Sequence, residues 1–467
     1  MNKEPLKYIS TRGHQDKLDF KDVIFEGLAP DGGLYIPEKW PTLNDSILKT
    51  FPNKTYQEIA YDVISMFVDD SISNSDLRSI INSSYKNFRS QDITPVTKIN
   101  EKEYLLELFH GPTYAFKDIA MQFISQLMRF YLLKTNKSIN ILAATSGDTG
   151  AAAIEGFKHI QSSKIFILHP YKKISEIQRK FMTTIDSENV FNIAIKGNFD
   201  ECQIIIKKIF SDTKFKKSKN LTAVNSINWA RIMCQIVYYF YAASRLDNIK
   251  NNILYSVPTG NFGDIFAGYI ASKMGLKIGT LNIATNENDI LTRTLTTGIH
   301  KTKDVIFTTS PSIDIQVSSN FERLLFDITK NPDFINSIMN DLSKNGEYTL
   351  PTEIISDISK SFSSYTVNQA EVESIIKKLF DKQKIIIDPH TAVGLASSRK
   401  CDDKHDLNVT LSTAHPVKFK DTISNIIDYN DKEIPKSVRS LFNKEEKLHI
   451  MENDIVMVQK FIEKNTI

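Results

Sequence analysis

Cysteine is scarce in this chain of 467 residues, and the three that occur, Cys202, Cys234 and Cys401, lie far apart with no Cys-x-x-Cys spacing. That scarcity excludes a disulfide-stapled scaffold and a thiolate metal site, and it suits a reducing cytosol. A surplus of one charge is also missing. With 58 Lys and Arg against 55 Asp and Glu, the net charge of +3 creates no field for nucleic acid or a membrane surface, so an anionic ligand must be held locally. The densest basic run, Lys214, Lys216, Lys217 and Lys219 beside Asp212, reads as a solvated connection. Long apolar runs are absent too: Ile236 to Ala243 is too short to span a bilayer, and Met1 to Ser10 carries Lys3, Glu4 and Lys7 where a leader would be apolar.

What remains is an ordinary globular composition in a chain too long for a single core, which implies two or three domains. Its middle alternates strand and helix, the pattern of an α/β fold with mostly parallel sheets wrapped by helices. Ile139 to Ala144, the turn Ser146 to Gly150, a helix from Ala151 to His159 and a strand from Lys164 to Leu168 make one βαβ unit. Strands follow at Val190 to Ile195, Leu221 to Val224, Ile253 to Val257 and Leu281 to Ala284. Helices separate them at Asp200 to Phe210, Trp229 to Ala243 and Ile265 to Met274, the last stopped by Gly275. Lys384 to Ile387 and Val409 to Ser412 read as two more strands, with a short helix between them in Pro389 to Ser398. The first ninety or so residues differ. Tyr56 to Phe67 and Asp76 to Phe88 have helical spacing and lead to the turn-prone Thr94-Pro95, which marks an added helical N-terminal region.

Three segments carry chemistry. Lys117 begins a helix whose apolar positions are Ile119, Phe123, Ile124, Leu127 and Tyr131. A cation there opposes the helix dipole, so the position favours a neutral, nucleophilic amine; the plainer alternative is an exposed lysine beside a better-placed Asp118. Gly260-Asn261-Phe262-Gly263-Asp264 is a glycine-punctuated turn into a helix, suited to cradling a phosphate on backbone N–H groups, or else a tight turn capped by Asp264. No Walker lysine follows it, which disfavours a nucleoside triphosphate. The turn Thr145-Ser146-Gly147-Asp148-Thr149-Gly150 offers Ser146, Asp148 and Thr149 ahead of small residues, a fit for an amino-acid carboxylate or an ordinary helix cap.

Taken in order, the Phe-Lys-Asp setting of Lys117, the Ser-Gly-Asp-Thr-Gly turn and the Gly-Asn-Phe-Gly turn resemble those of threonine synthases, within the tryptophan synthase β-like, fold-type II pyridoxal-phosphate enzymes. Tyr8 to Gly13, Gly27 to Leu34 and Thr413 to Phe419 look like the longer bacterial and fungal subgroup, so the resemblance spans nearly the whole chain. It implies an N-terminal domain over residues 1–92 and a catalytic region of two interwoven subdomains over 93–467. It also implies a pyridoxal 5'-phosphate cofactor with Lys117 as Schiff-base lysine. Gly260, Asn261, Phe262, Gly263 and Asp264 would sit at the cofactor phosphate; the family often has Asn at the position of Asp264. Thr413 would face the pyridine nitrogen, and a hydroxyl there does not enforce the protonated ring that a carboxylate would.

The implied reaction converts O-phospho-L-homoserine and water to L-threonine and phosphate, a small-molecule chemistry with no nucleic-acid or membrane partner. The substrate phosphate needs its own anion site. Arg231, with Asn225 and Asn228 on the loop entering its helix, is the candidate; a solvated Arg231 is the alternative. His110, His390 and His415 lack ligand spacing, so no metal is expected, although His110 and His415 sit inside motif segments. A related phospho-lyase releasing 2-oxobutyrate, a hydroxyamino-acid dehydratase and a non-catalytic paralogue are the rival readings.

Overall fold

A computed structural model describes residues 6–246, 252–401 and 404–467; Lys3 and Glu4 lie outside the described residues. Two sheets organise the chain. The first has six strands in the order Phe362–Thr366, Thr280–Thr285, Ile253–Pro258, Leu407–Ser412, Glu103–Glu107 and Val96–Lys98, all pairs parallel except the last. The second runs His449–Glu452, Val190–Lys196, Ser163–Pro170, Ile139–Ala144 and Leu221–Thr222, parallel throughout. Their central strands are apolar without alternation because helices cover both faces. Parallel strands put all their C-terminal ends at one edge, where α/β proteins bind ligands.

The helix Trp229–Arg245 is buried over sixteen of its seventeen residues, as expected of a helix that is apolar all round. It packs against the helices Lys117–Thr135, Gly263–Lys273 and Tyr56–Ile64, so the N-terminal region shares one continuous core with the first sheet. Trp229 is its anchor, within ring contact of Tyr8, Trp40 and Phe67. Besides the helices Tyr56–Ile64 and Asn74–Tyr85, the N-terminal region contains an antiparallel pair, Tyr8–Ser10 with Tyr35–Pro37.

One expected strand is absent. Lys384, at φ +58, ends the helix Gln369–Gln383 in the left-handed conformation, and Ile385 to Ile387 pair with no strand on the way to Asp388. The edge position beside Thr280–Thr285 is taken by Phe362–Thr366. The strand expected over Leu221 to Val224 is shorter, pairing only at Leu221–Thr222.

Candidate functional site

Lys117 is the first residue of its helix, as the sequence suggests. The loop before it is fastened at several points. Phe116 N donates to Thr413 O (2.8 Å), His415 N donates to Tyr114 O (3.0 Å), and Ala115 bridges Ala414. Thr113 donates from its backbone N and its hydroxyl to Asp118, both at 2.7 Å. This clasp brings Lys117 to the C-terminal end of Leu407–Ser412, beside Thr413, whose buried side-chain hydroxyl has no protein partner.

The Lys117 amine faces Asp148 at 3.7 Å, and Asp148 in turn accepts from Lys418 (2.7 Å) and Gln178 (3.0 Å). Burial pushes the Lys117 amine down to about 8; Asp148 opposes that shift, and the cations Arg231 and Lys418 reinforce it. Burial works against charge on Asp148, yet Lys418 and Lys117 overcome it and hold the carboxyl well below its ordinary range. Lys418, fully buried and donating to Thr113 O at 2.8 Å, therefore completes a compact charged cluster with Asp148 and Lys117. Neither Lys418 nor Gln178 stands out by residue type; the only pointer was that Lys418 falls within the C-terminal motif.

Two helix N-termini belong to this region, and in neither does the residue at the cap position use its own side chain as a cap. The helix Asp148–Phe157 opens at Gly147 (φ +141), where Thr145 Oγ1 accepts from Gly147 N and Gly150 N, while the hydroxyls of Ser146 and Thr149 have no protein partner. The helix Gly263–Lys273 opens at Phe262, held at φ +62 with its ring packed on Phe321 and Phe362. Gly260 is required by close approach: a Cβ there would lie 2.9 Å from Ser312 O. Ser318 Oγ donates to Gly260 O (2.6 Å) and Asn320 Nδ2 to Asn261 O (2.9 Å), so the loop's carbonyls are tied back.

Arg231 is 3% exposed, and its Nε and one terminal nitrogen have no partner, nor does the buried Oε1 of Gln235 one turn on. A buried guanidinium with open donors has the chemistry to hold an anion. Asn225 is exposed with its amide unengaged. Asn228 is engaged with protein: its Oδ1 accepts from Ala230 N and its Nδ2 donates to Ile24 O, which anchors the start of the helix. Asp264 is likewise engaged, its Oδ1 accepting from Tyr238 and Tyr239 while Oδ2 is unpartnered; burial pushes its carboxyl up to about 7 despite those hydrogen bonds.

The histidines are structural. His390 bonds Asp388 (2.8 Å) and accepts from Ser312 N, His110 bonds Glu107 (2.7 Å), and His415 accepts from Val417 N. Among the described residues no group of metal-ligating side chains converges.

A lysine amine eased toward neutrality, with two glycine-bearing helix N-termini and an open guanidinium in the same region, suits a carbonyl cofactor bearing a phosphate. The description "Threonine synthase N terminus" matches residues 7–85, "Pyridoxal-phosphate dependent enzyme" residues 90–410, and "Threonine synthase, C-terminal" residues 391–462. The threonine synthase of Pseudomonas aeruginosa is 43% identical over 98% of both chains. The chain belongs to the threonine synthase family. Its structure follows suit: the pyridoxal-phosphate-bound threonine synthase of Brucella melitensis superposes with a TM-score of 0.95 at 40% identity over 99% of both chains. The yeast threonine synthase gives 0.94, also at 40% identity, over 98% of both. The chain is thus a pyridoxal-phosphate-dependent α/β enzyme of threonine biosynthesis, and no helix among the described residues is long and apolar enough to cross a membrane.

Proposed function

We propose that this chain converts O-phospho-L-homoserine and water into L-threonine and inorganic phosphate, with Lys117 as the covalent anchor of pyridoxal 5'-phosphate. The observation that carries the reading is the buried Lys117 amine, lowered to about 8 and set between Asp148, Lys418 and Arg231. The residues fit the cofactor: the loop Gly260, Asn261, Phe262, Gly263 and Asp264 offers free N–H groups and no room for a side chain at Gly260, and Thr413 keeps an open hydroxyl for the ring. When bound, pyridoxal phosphate supplies a conjugated electron sink for negative charge beside the substrate's amine-bearing carbon.

Lys117, released from its anchoring role by the incoming amine, takes the substrate's Cα proton on Nζ. Asp148 keeps its negative charge throughout and orients that amine, while Lys418 balances the charge. Ser146 and Thr149, with the amides of their turn, hold the substrate carboxylate. Loss of a Cβ proton supplies the electron pair that expels phosphate from Cγ, where Arg231, with Asn225 at the loop entrance, receives it; Cγ is then reprotonated, water adds at Cβ, and Lys117 returns the proton to Cα. The same reading assigns residues 1–92 to a region covering the catalytic body of 93–467, and the buried thiols Cys202 and Cys234 suit a reducing cytosol.

The test is to incubate the protein with pyridoxal phosphate and O-phospho-L-homoserine and to measure phosphate, threonine and 2-oxobutyrate in one sample. Equal phosphate and threonine, both abolished by Lys117→Ala, is the expected result. Phosphate with 2-oxobutyrate would make the chain a phospho-lyase on the same scaffold, and no phosphate would overturn the substrate.

A further inference from the structure

Arg323, in the helix Phe321–Thr329, is completely buried, yet no carboxylate among the described residues pairs with it; the neighbouring Glu322 is taken by Arg12 and Thr11. Burial pushes the guanidinium down to about 9, with Glu322 alone opposing. An apolar side chain of similar length would fill this space without that penalty, so the cation has a task beyond packing. Its acceptors show which. Nε donates to Tyr35 O (2.9 Å) in the N-terminal strand pair, Nη2 to Ile227 O (2.7 Å) on the loop that leads to Arg231, and Nη1 to Asn320 Oδ1. Asn320 then reaches the turn after Pro258: its backbone N and its Nδ2 both donate to Asn261 O (3.1 and 2.9 Å), and Nδ2 also donates to Ser226 O (3.3 Å). Because Oδ1 faces a guanidinium and Nδ2 faces carbonyls, the orientation of this amide is fixed by its partners.

In a trans peptide the N–H points opposite to the preceding C=O. Tying Asn261 O to Asn320 therefore turns the Phe262 N–H to the other side of its turn, and tying Ser226 O does the same for the Ile227 N–H. Neither N–H has a protein partner among the described residues. Free N–H groups held in one direction by a turn are the usual ligands of phosphate oxygens. We propose, on the basis of the function assigned to the Lys117 site, that Arg323 and Asn320 are positioning residues for two phosphates at once, the cofactor's at the turn of Asn261 and the substrate's at the loop of Ile227. Through Tyr35 the same guanidinium ties both to the N-terminal region.

Asn320→Asp isolates the effect. The variant still accepts from Arg323, now as an ion pair, but its second oxygen replaces the donor that held Asn261 O and Ser226 O. The ion pair offsets the lost contacts, so the variant should melt near the parent's temperature while both phosphates are held less well. Pyridoxal and pyridoxal phosphate are titrated separately into the cofactor-free full chain, with the absorbance of the adduct as readout. The phosphorylated form should bind about tenfold more weakly than to the parent, and the unphosphorylated form within about twofold. At saturating cofactor, KM for O-phospho-L-homoserine should rise about tenfold with kcat within about threefold. Arg323→Lys, which keeps the charge but not the three-way fork, should move the same two constants in the same direction. Equal weakening of pyridoxal and its phosphate would reduce both residues to a structural role, and parent-like constants in both variants would equally overturn the assignment. A parent that leaves O-phospho-L-homoserine untouched would overturn the substrate and with it the second phosphate, whereas the pyridoxal comparison still decides the first.

Discussion

Asp264 is a carboxyl in a place that resists its charge. Burial pushes it up to about 7, with Tyr238 and Tyr239 donating to it, whereas the unfolded chain ionises near the ordinary value of 3.8. Folding therefore retains a proton between those two values, and the folded state loses stability as pH rises through that window, reaching its full penalty above about 7. Asp264→Asn should gain on the parent by on the order of 2–3 kcal/mol between pH 5 and pH 8, at about 1.4 kcal/mol for each pH unit up to about 7; a stability difference that stays constant over that range would show that the carboxylate is well solvated. Arg231 poses the opposite problem, an unpaired cation with open donors. Arg231→Met keeps the volume and removes the burial penalty, so cofactor-free stability should rise by about 1–2 kcal/mol. KM for O-phospho-L-homoserine should meanwhile rise about a hundredfold, as expected for loss of a charge-assisted contact. Melting curves and initial rates together check this, and a fall in stability would mean that the guanidinium already has a partner.

Among the elements, the turn from Gly260 to Asp264 is closely packed. Gly260→Ala would press a methyl group within 3.2 Å of Ser312 O, Ile315 Cδ1 and Ile313 Cα, two of them backbone atoms, which cannot swing away. The expected cost is about 1–3 kcal/mol of stability, together with weaker cofactor retention, read by melting and by absorbance after dialysis. This turn and the helix start at Lys117 were legible in the sequence because each depends on a local signal, glycine spacing in one and helical periodicity in the other. The cap that Asn228 forms was not legible, because an asparagine that caps a helix and one that holds a ligand look alike until Ile24 is seen on its other side. Lys384 to Ile387 has strand composition but no neighbour to pair with, while Phe362–Thr366, with its two serines, carries no clear strand pattern and still forms an edge strand. Lys418 could be recognised as part of the site only once the fold had brought Thr113 and Asp148 to it.

At the scale of the molecule, the last residues close what earlier ones began. His449–Glu452 covers the edge of Val190–Lys196, and the helix Ile455–Asn465 buries Val458 and Ile462 on the second core. Ending the chain before His449 should cost at least about 3 kcal/mol, the burial of those two side chains. It should also produce aggregation through the uncovered edge, visible as light scattering on warming. The first sheet has a deeper dependence, for Leu407–Ser412 lies between Ile253–Pro258 and Glu103–Glu107 and joins its two halves. On the ribosome, the strand Glu103–Glu107 is made roughly 300 residues before that partner. At about 5–20 residues per second it waits about 15–60 s with an open edge. The loop that carries Lys117 waits equally long for Thr413, so the surroundings of this lysine assemble only after Leu407–Ser412 has been made.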